Sequence, residues 1–543
     1  MPSNTLCKYR AMRKIILVFT LLVTLSVQAQ TFSVIRGGCT PDVDGDEVNT
    51  TRGVQSRKLP ARILDWDPAR TYRQLVILVD FKGDSTYFNM ENPHETYDRM
   101  FNERGYNQRN GKGCVADYFR DQSGGLFNLQ FDVFGPFDIS LKAQPYVKPT
   151  ENVQNTGLNE MKEATKMMIE ENPGLDFSVY DWNGDGYVNQ VIYVFAGYTG
   201  NVSQEIAFGY LWPNTGSFIT TGTGIKTPSG QIINNYSASA ECWPTTSKAS
   251  CGIGTICHEY SHSLGLPDIY PTRGNVGYSV VDEWDLMDGG NFTNYGWCPP
   301  NYSALERMLL GWQTPIELTE ATTVTDMKCV EDGGETYMIK HTDKEYYLLE
   351  NRQWKGWDAG VPGKGLVIYH VNYNESKWTA NRVNTEANLF GYSIVSADDM
   401  DYNDWDELLE ELGGSQYSEN PRMHNRHLSS SPYPWATDST TFVNDQLTDT
   451  TVPASKMFNT NEEGSKYLSK AISNIRMSED GLISFDFMGG DPMSVTLPSQ
   501  RETTIMTVYD LGGHCMGNHL DSQRPGLYIV RYADGKTKKV VKR

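Results

Sequence analysis

His258, Glu259 and His262 form the run HEYSH, and Asp268 follows six residues after His262, behind Gly265. On a helix, side chains four residues apart stand about 40° from each other, one turn up, so two imidazoles can grip one ion. Zinc in a catalytic site takes three protein ligands from imidazole nitrogens and carboxylate oxygens and leaves one position open. Glu259 follows the first histidine and is placed to take a proton from metal-activated water rather than to bind the metal. This is the chemistry of peptide-bond hydrolysis: the ion polarises the scissile carbonyl, and the carboxyl later passes its proton to the leaving amine. The spacing predicts zinc on His258, His262 and Asp268, with Glu259 as general base. Glu283, further downstream, competes for the third position. Asp268 is preferred because a glycine turn has a purpose only if a ligand follows it.

Other residues could join this chemistry. Trp284 to Gly290 reads WDLMDGG, a turn carrying Met287 in an exposed-looking position, where a methionine can form a soft apolar floor beneath a metal. A tyrosine hydroxyl could help stabilise the oxyanion; Tyr295 and Tyr302 are candidates, and neither is assigned. Asp181, Asn183, Asp185, Tyr187 and Asn189 place oxygens at alternate positions, with Gly186 sixth, like the opening of a calcium loop. The twelfth position is Ile192 rather than Glu, so a true EF-hand is excluded while a calcium loop with other ligands is expected. Cys39 could act as a zinc-blocking thiolate in a zymogen, and a free or disulfide-bonded cysteine is the competing reading. His424 and His427, in MHNRHLSSSP, read as residues of a solvated loop.

The elements that must position these groups are legible in outline. Ile253, Ile256, Cys257, Tyr260 and Leu264 recur at helical spacing, predicting a helix over 249–264 that Gly265 ends in the left-handed conformation. QLVILVDF from Gln74 reads as a buried strand and LFNLQFDVF as a half-exposed one. Helices are expected over 115–122 and 159–171. Strands are expected at 191–195, EYYLLE and GLVIYHV. This mixture predicts an α+β fold with an active-site helix against a mixed sheet.

With 543 residues, 39% of them hydrophobic, the chain can bury more than one core. A net charge of −20 excludes nucleic acid as a natural partner, because phosphate binding needs a basic stripe, and suits solubility outside a cell. A basic stretch at Met12 to Lys14, an apolar run to Val27 and small residues at Val27 to Ala29 predict a signal peptide over 1–29. Residues 30–72 read as a propeptide or linker with basic cleavage points, 73–488 as the catalytic domain, and 489–543 as a small β-sandwich. Without Cys7 the eight remaining cysteines are scattered, with no CxxC pair, so disulfides are open and a cysteine zinc site is not indicated.

HEYSHSLGLPDIY followed by WDLMDGG resembles the immune inhibitor A family of secreted metallopeptidases in its Bacteroidetes form. The likeness extends over LVILVDF, VADYFRDQSGGLFNLQFDVFGP, LWP at 211–213, ERMLLGW at 306–312, EYYLLENRQWKGWD and PGKGLVIYHVNY, roughly residues 73–489. It implies a zincin-like fold, proteolysis of protein or peptide substrates, zinc on His258, His262 and Asp268, and Glu259 as base. The tail PGLYIVRYADGKTKKVVKR is similar to the carboxyl-terminal sorting domain of type IX secretion cargo, which implies the type IX secretion machinery as a partner and a secreted or outer-surface location. The chain is expected to act as a monomeric zymogen. The alternative of another class is a non-catalytic surface or adhesion protein on a peptidase fold; Glu259 speaks against it, since a structural zinc needs no base.

Overall fold

The computed structural model describes residues 66–82, 87–140, 157–200, 211–218, 224–243, 248–273, 276, 278–413, 427–436, 443–491, 505–509, 515–517, 520, 526–532 and 537–542. The expected signal peptide, residues 30–65 of the expected propeptide with Cys39, and His424 lie outside them; residues 66–72, placed in the propeptide by sequence, are described, and Thr71 and Tyr72 already belong to the first strand of the central sheet. The chain divides into two units, Met1–Gly490 and Asp491–Arg543.

The site of the larger unit rests on a five-stranded sheet. Its strands are β1 (Thr71–Phe81), β2 (Asn128–Ile139), β3 (Val191–Tyr198), β4 (Asn214–Ser217) and β5 (Asn235–Cys242), in the order β2-β1-β3-β5-β4. All neighbours run parallel except β4, which pairs antiparallel with β5 at the end of the sheet. Leu75 to Val79 of β1 are fully buried, as a parallel strand covered on both faces requires. Three helices accompany this sheet: α1 (Pro93–Asn102), α2 (Val115–Gln122) and α3 (Leu158–Glu171). The start of α2 is fixed by a reciprocal cap in which Asp117 N–H donates to Cys114 Sγ and Cys114 N–H to Asp117 Oδ2.

The next helix, α4 (Gly254–Ser263), carries the histidines and is buried on every side. It begins five residues later than the periodicity predicts. Gly252 has a φ of +69°, and a Cβ on it would meet Gly296 O at 2.4 Å; one on Gly254 would meet Asn291 O at 2.1 Å. These glycines let the strand-to-helix turn pack backbone against backbone, and helical geometry starts only after that approach. The end is as expected. Gly265, at φ +101°, sends its N–H to His262 O, and Leu266 N–H reaches Ser261 O, the pair of bonds that closes a Schellman motif.

After a short helix, α5 (Ala304–Leu309), a second five-stranded sheet follows. It comprises β6 (Ile316–Glu317), β7 (Tyr337–Lys340), β8 (Glu345–Arg352), β9 (Gly365–Asn372) and β10 (Tyr392–Ile394), in the order β10-β9-β8-β7-β6. β8 and β9 are buried almost throughout, and Tyr346, Leu348, Val367, Tyr369 and Val371 share one core with the first sheet and α4. The opposite faces, through Leu349, Leu366 and Ile368, pack on a second core with strands 472–477 and 483–487.

In the smaller unit the described residues form one four-stranded antiparallel sheet, from strands 505–509, 515–517, 526–532 and 537–542. A sandwich requires a second sheet facing it. No described helix of the chain is long and apolar enough to cross a membrane.

Candidate metal centre

α4 presents His258 and His262 on one face, and the turn at Gly265 returns the chain so that Asp268 arrives opposite them. The ring centroids are 4.8 Å apart, with the planes at 86°. His258 Nε2 lies 3.2 Å and His262 Nε2 3.0 Å from the same atom, Asp268 Oδ1. Among the described residues, these three form the one group of His, Cys, Asp or Glu side chains close enough to share a metal, with ligand atoms within 4.8 Å of one another. Glu283 stands instead in the short turn 282–284 and is not in this group.

The hydrogen bonds on the far side of each ring set its tautomer. His258 Nδ1 lies 2.8 Å from Leu286 O, and His262 Nδ1 lies 2.8 Å from Leu266 O. A carbonyl oxygen only accepts, so each Nδ1 carries the proton and each Nε2 offers a lone pair. Two nitrogen lone pairs and a carboxylate oxygen then converge in a fully buried place, and His258 Nε2 and Asp268 Oδ1 make no hydrogen bond there. Lone pairs crowded together away from water demand a cation. A proton can meet that demand. Burial by itself lowers the His258 imidazole and raises the Asp268 carboxyl; the pull of Asp268 and Glu259 at His258, and of His262 and then His258 at Asp268, outweighs it. His258 is therefore raised above its ordinary range and Asp268 held well below the carboxylate range. A divalent metal preferring nitrogen and oxygen donors meets the same demand with all three ligands at once.

Two further parts of the chain hold the centre in place. The turn WDLMDGG supplies Leu286 O to His258, while Met287 O accepts the N–H of Ile269, next to Asp268. One turn thereby ties together the first and third members of the group. Met287 itself is fully buried, contrary to its exposed look in sequence, because the turn folds inward against the helix. On the other side, Asn381 Oδ1 accepts from Asp268 N–H at 2.7 Å and its amide donates to Asp268 Oδ2 at 2.5 Å.

Glu259 is 1% exposed. Thr215, on the end strand β4, places its hydroxyl 2.7 Å from Glu259 O and 2.8 Å from Oε2. The hydroxyl holds one proton, so it fixes the carboxyl beside the backbone of its own helix and limits rotation of the side chain. Tyr302 is fully buried, with its hydroxyl against Ser261 Oγ and its ring edge-on to Tyr118, as a packed core tyrosine. Tyr295 is 47% exposed in a turn. Tyr270, not anticipated from sequence, stacks beside His258 with centroids 6.4 Å apart.

The other constellations are built differently. The 181–189 loop lies at the surface and its carboxylates hold its own backbone: Asp181 accepts from Asp185 N–H and Gly186 N–H, and Asp185 Oδ1 from Tyr187 N–H. Asn183 donates to Asp185 Oδ2, and Asn189 Oδ1 accepts from Trp182 N–H. His427 corrects the expectation of a solvated loop. It is 3% exposed, with Nδ1 3.7 Å from Asp282 Oδ2 and its ring edge-on to Tyr402. Its polar sequence neighbours hid an inward-facing ring. The described cysteines, Cys114, Cys242, Cys251, Cys257, Cys298, Cys329 and Cys515, are free thiols.

Residues 69–308 match the family model of the immune inhibitor A peptidase M6 catalytic domain. The chain is 26% identical over 263 residues to Pre-pro-metalloprotease PrtV of Vibrio cholerae serotype O1 (strain M66-2), covering 42% of this chain and 28% of that protein. It is 25% identical over 295 residues to Immune inhibitor A of Bacillus thuringiensis subsp. alesti, covering 46% of this chain and 42% of that one. The chain thus spans well under half the length of either relative. The matched region contains the two histidines, Glu259, Asp268 and the 284–290 turn, and residues 69–308 carry a metallopeptidase catalytic domain similar to that of immune inhibitor A.

Proposed function

We propose that the chain is a secreted zinc endopeptidase, with His258, His262 and Asp268 holding the metal and Glu259 as general base. The observation that carries this reading is the buried convergence of two Nε2 lone pairs and one carboxylate oxygen, each ring oriented by a carbonyl behind it. When bound, zinc supplies Lewis acidity that brings the ionisation of water toward neutral pH and polarises a carbonyl. Glu259 takes the proton released by water and returns it to the departing amine. Thr215 keeps Glu259 in one rotamer for both transfers.

The end strand supports protein substrates. Phe218 N–H donates to Asn234 O, so pairing alternates and Thr215 turns its main-chain N–H and C=O away from β5. An extended peptide laid along β4 would find those groups within reach of Glu259. The zincin-like domain then runs from β1 to about residue 488, behind a signal peptide (1–29) and a latency or linker segment that ends before β1. The sheet of the smaller unit suits a sorting domain read by type IX secretion machinery. The 181–189 loop is proposed as a weak calcium site, since its oxygens are hard but its carboxylates already serve the loop. Glu259→Gln tests the central reading: it should lower casein or gelatin cleavage by about 10²–10⁴-fold while zinc stays bound. Full activity in that variant would refute the mechanism.

A further inference from the structure

We infer that Asn381, which lies beyond the region matched by the catalytic-domain family, is the positioning residue for the third metal ligand. The inference rests on the reading of His258, His262 and Asp268 as that metal's ligands.

Asn381 follows a short helix, α6 (Glu375–Thr379), after strand β9, second from one end of the second sheet. Its backbone is left-handed, at φ +59°, a conformation that asparagine tolerates better than most residues. It is 4% exposed. The two contacts with Asp268 leave no freedom in the amide orientation. Asp268 N–H requires an acceptor, and the carboxylate oxygen requires a donor, so the amide oxygen must face one and the amide nitrogen the other. One planar group thus grips Asp268 by its backbone and its side chain together.

The grip has a direct consequence for ligation. Oδ2 of Asp268 is taken by the Asn381 amide, and Oδ1 is the oxygen turned toward both imidazoles. Asp268 is therefore set to bind through one oxygen, in an orientation fixed from outside the ligand set. Partners of this kind orient a ligand and tune its basicity, and their loss lowers metal affinity by about 10–100-fold. Neighbouring ties join the same two loops without touching the Asp268 side chain. Thr272 Oγ1 donates to Asn381 O, and the Asn384 amide donates to Ile269 O and Tyr392 O.

That separation supplies the control. In the full chain, Asn381→Gly keeps the left-handed backbone and removes both contacts, whereas Asn384→Ala loosens the same loop junction and leaves the clasp on Asp268. Zinc affinity is read by competition with a chromophoric chelator, and the cobalt-substituted proteins are compared by visible absorption. Asn381→Gly should bind zinc about 10–100-fold more weakly and shift the cobalt spectrum. Asn384→Ala should lower the melting temperature but keep both readouts near those of the parent. If Asn381→Gly does not fold, Asn381→Asp keeps the shape, replaces the donor with a second acceptor and should still move the cobalt spectrum. Zinc affinity in Asn381→Gly within twofold of the parent, or a loss no larger than in Asn384→Ala, would overturn the inference while leaving the ligand set intact. A parent chain that takes up no zinc would sink the ligand set itself, and this inference with it.

Discussion

The centre at His258, His262 and Asp268 and the loop at 181–189 both present metal-binding side chains at suggestive spacing, yet they spend their lone pairs in opposite ways. In the loop, Asp181 and Asp185 accept from the backbone N–H groups of the same turn, and the chain is in contact with water. In the centre, each ring donates its Nδ1–H to a backbone carbonyl behind it, Leu286 O or Leu266 O, and the Nε2 atoms with Asp268 Oδ1 face one buried point. Spacing nominates both. What separates them is whether the fold satisfies the ligand atoms or leaves them for an ion.

The largest effect should come from the buried centre. His262→Ala removes one of three ligands, and the dialysed protein should lose both its zinc and its casein cleavage; zinc retained at one equivalent would place the metal elsewhere. Thr215→Val comes next. It deletes a hydrogen bond to a charged group, worth about 1.5–3 kcal/mol, so kcat should fall about 10–100-fold with zinc retained and KM little changed. Thr215→Ser should restore most of the rate, and a failure of serine to do so would show that the hydroxyl is not what matters.

Smaller effects belong to the outer parts of the comparison. In the loop, the double change Asp181→Asn, Asp185→Asn should leave cleavage within about twofold of the parent. Calorimetry of the parent should give a calcium Kd of about 10⁻⁴–10⁻³ M, in the range of extracellular modules. Micromolar affinity would mean that the loop rearranges to free its oxygens. Beneath the centre, burial raises the Asp285 carboxyl to about 6, against the opposing N–H of Met287 and with Asp288 adding. A carboxyl raised on folding binds its proton more tightly in the native state, so its contribution to stability is present below the ordinary carboxyl range and is lost as pH rises through about 6. Asp285→Asn removes that loss. Its melting temperature should gain on that of the parent between about pH 4 and pH 7, and a constant difference would show that Asp285 does not titrate there.

The parts of the site that were legible in sequence are those joined by short stretches of chain. The helix, its Gly265 stop and the return to Asp268 lie within the fifteen residues Gly254 to Asp268, where spacing and local geometry decide the outcome. The strands at 71–81, 345–352 and 365–372 were also legible, because burial on both faces leaves long apolar runs. Thr215, Leu286 and Asn381 were not. They reach Glu259, His258 and Asp268 across 44, 28 and 113 positions, and a threonine, a main-chain carbonyl and an asparagine carry no pattern that announces such a role. The late start of α4 was hidden for a related reason: it depends on Gly296 and Asn291 pressing on Gly252 and Gly254 from a later segment.

X-ray absorption at the zinc edge, on the full chain and on His262→Ala, tests the central claim most directly. The account predicts one zinc per chain with two imidazole nitrogens and a single carboxylate oxygen from the protein, and loss of that zinc signal in the variant. A sulfur-dominated shell, or an unchanged zinc environment after His262 is removed, would contradict it.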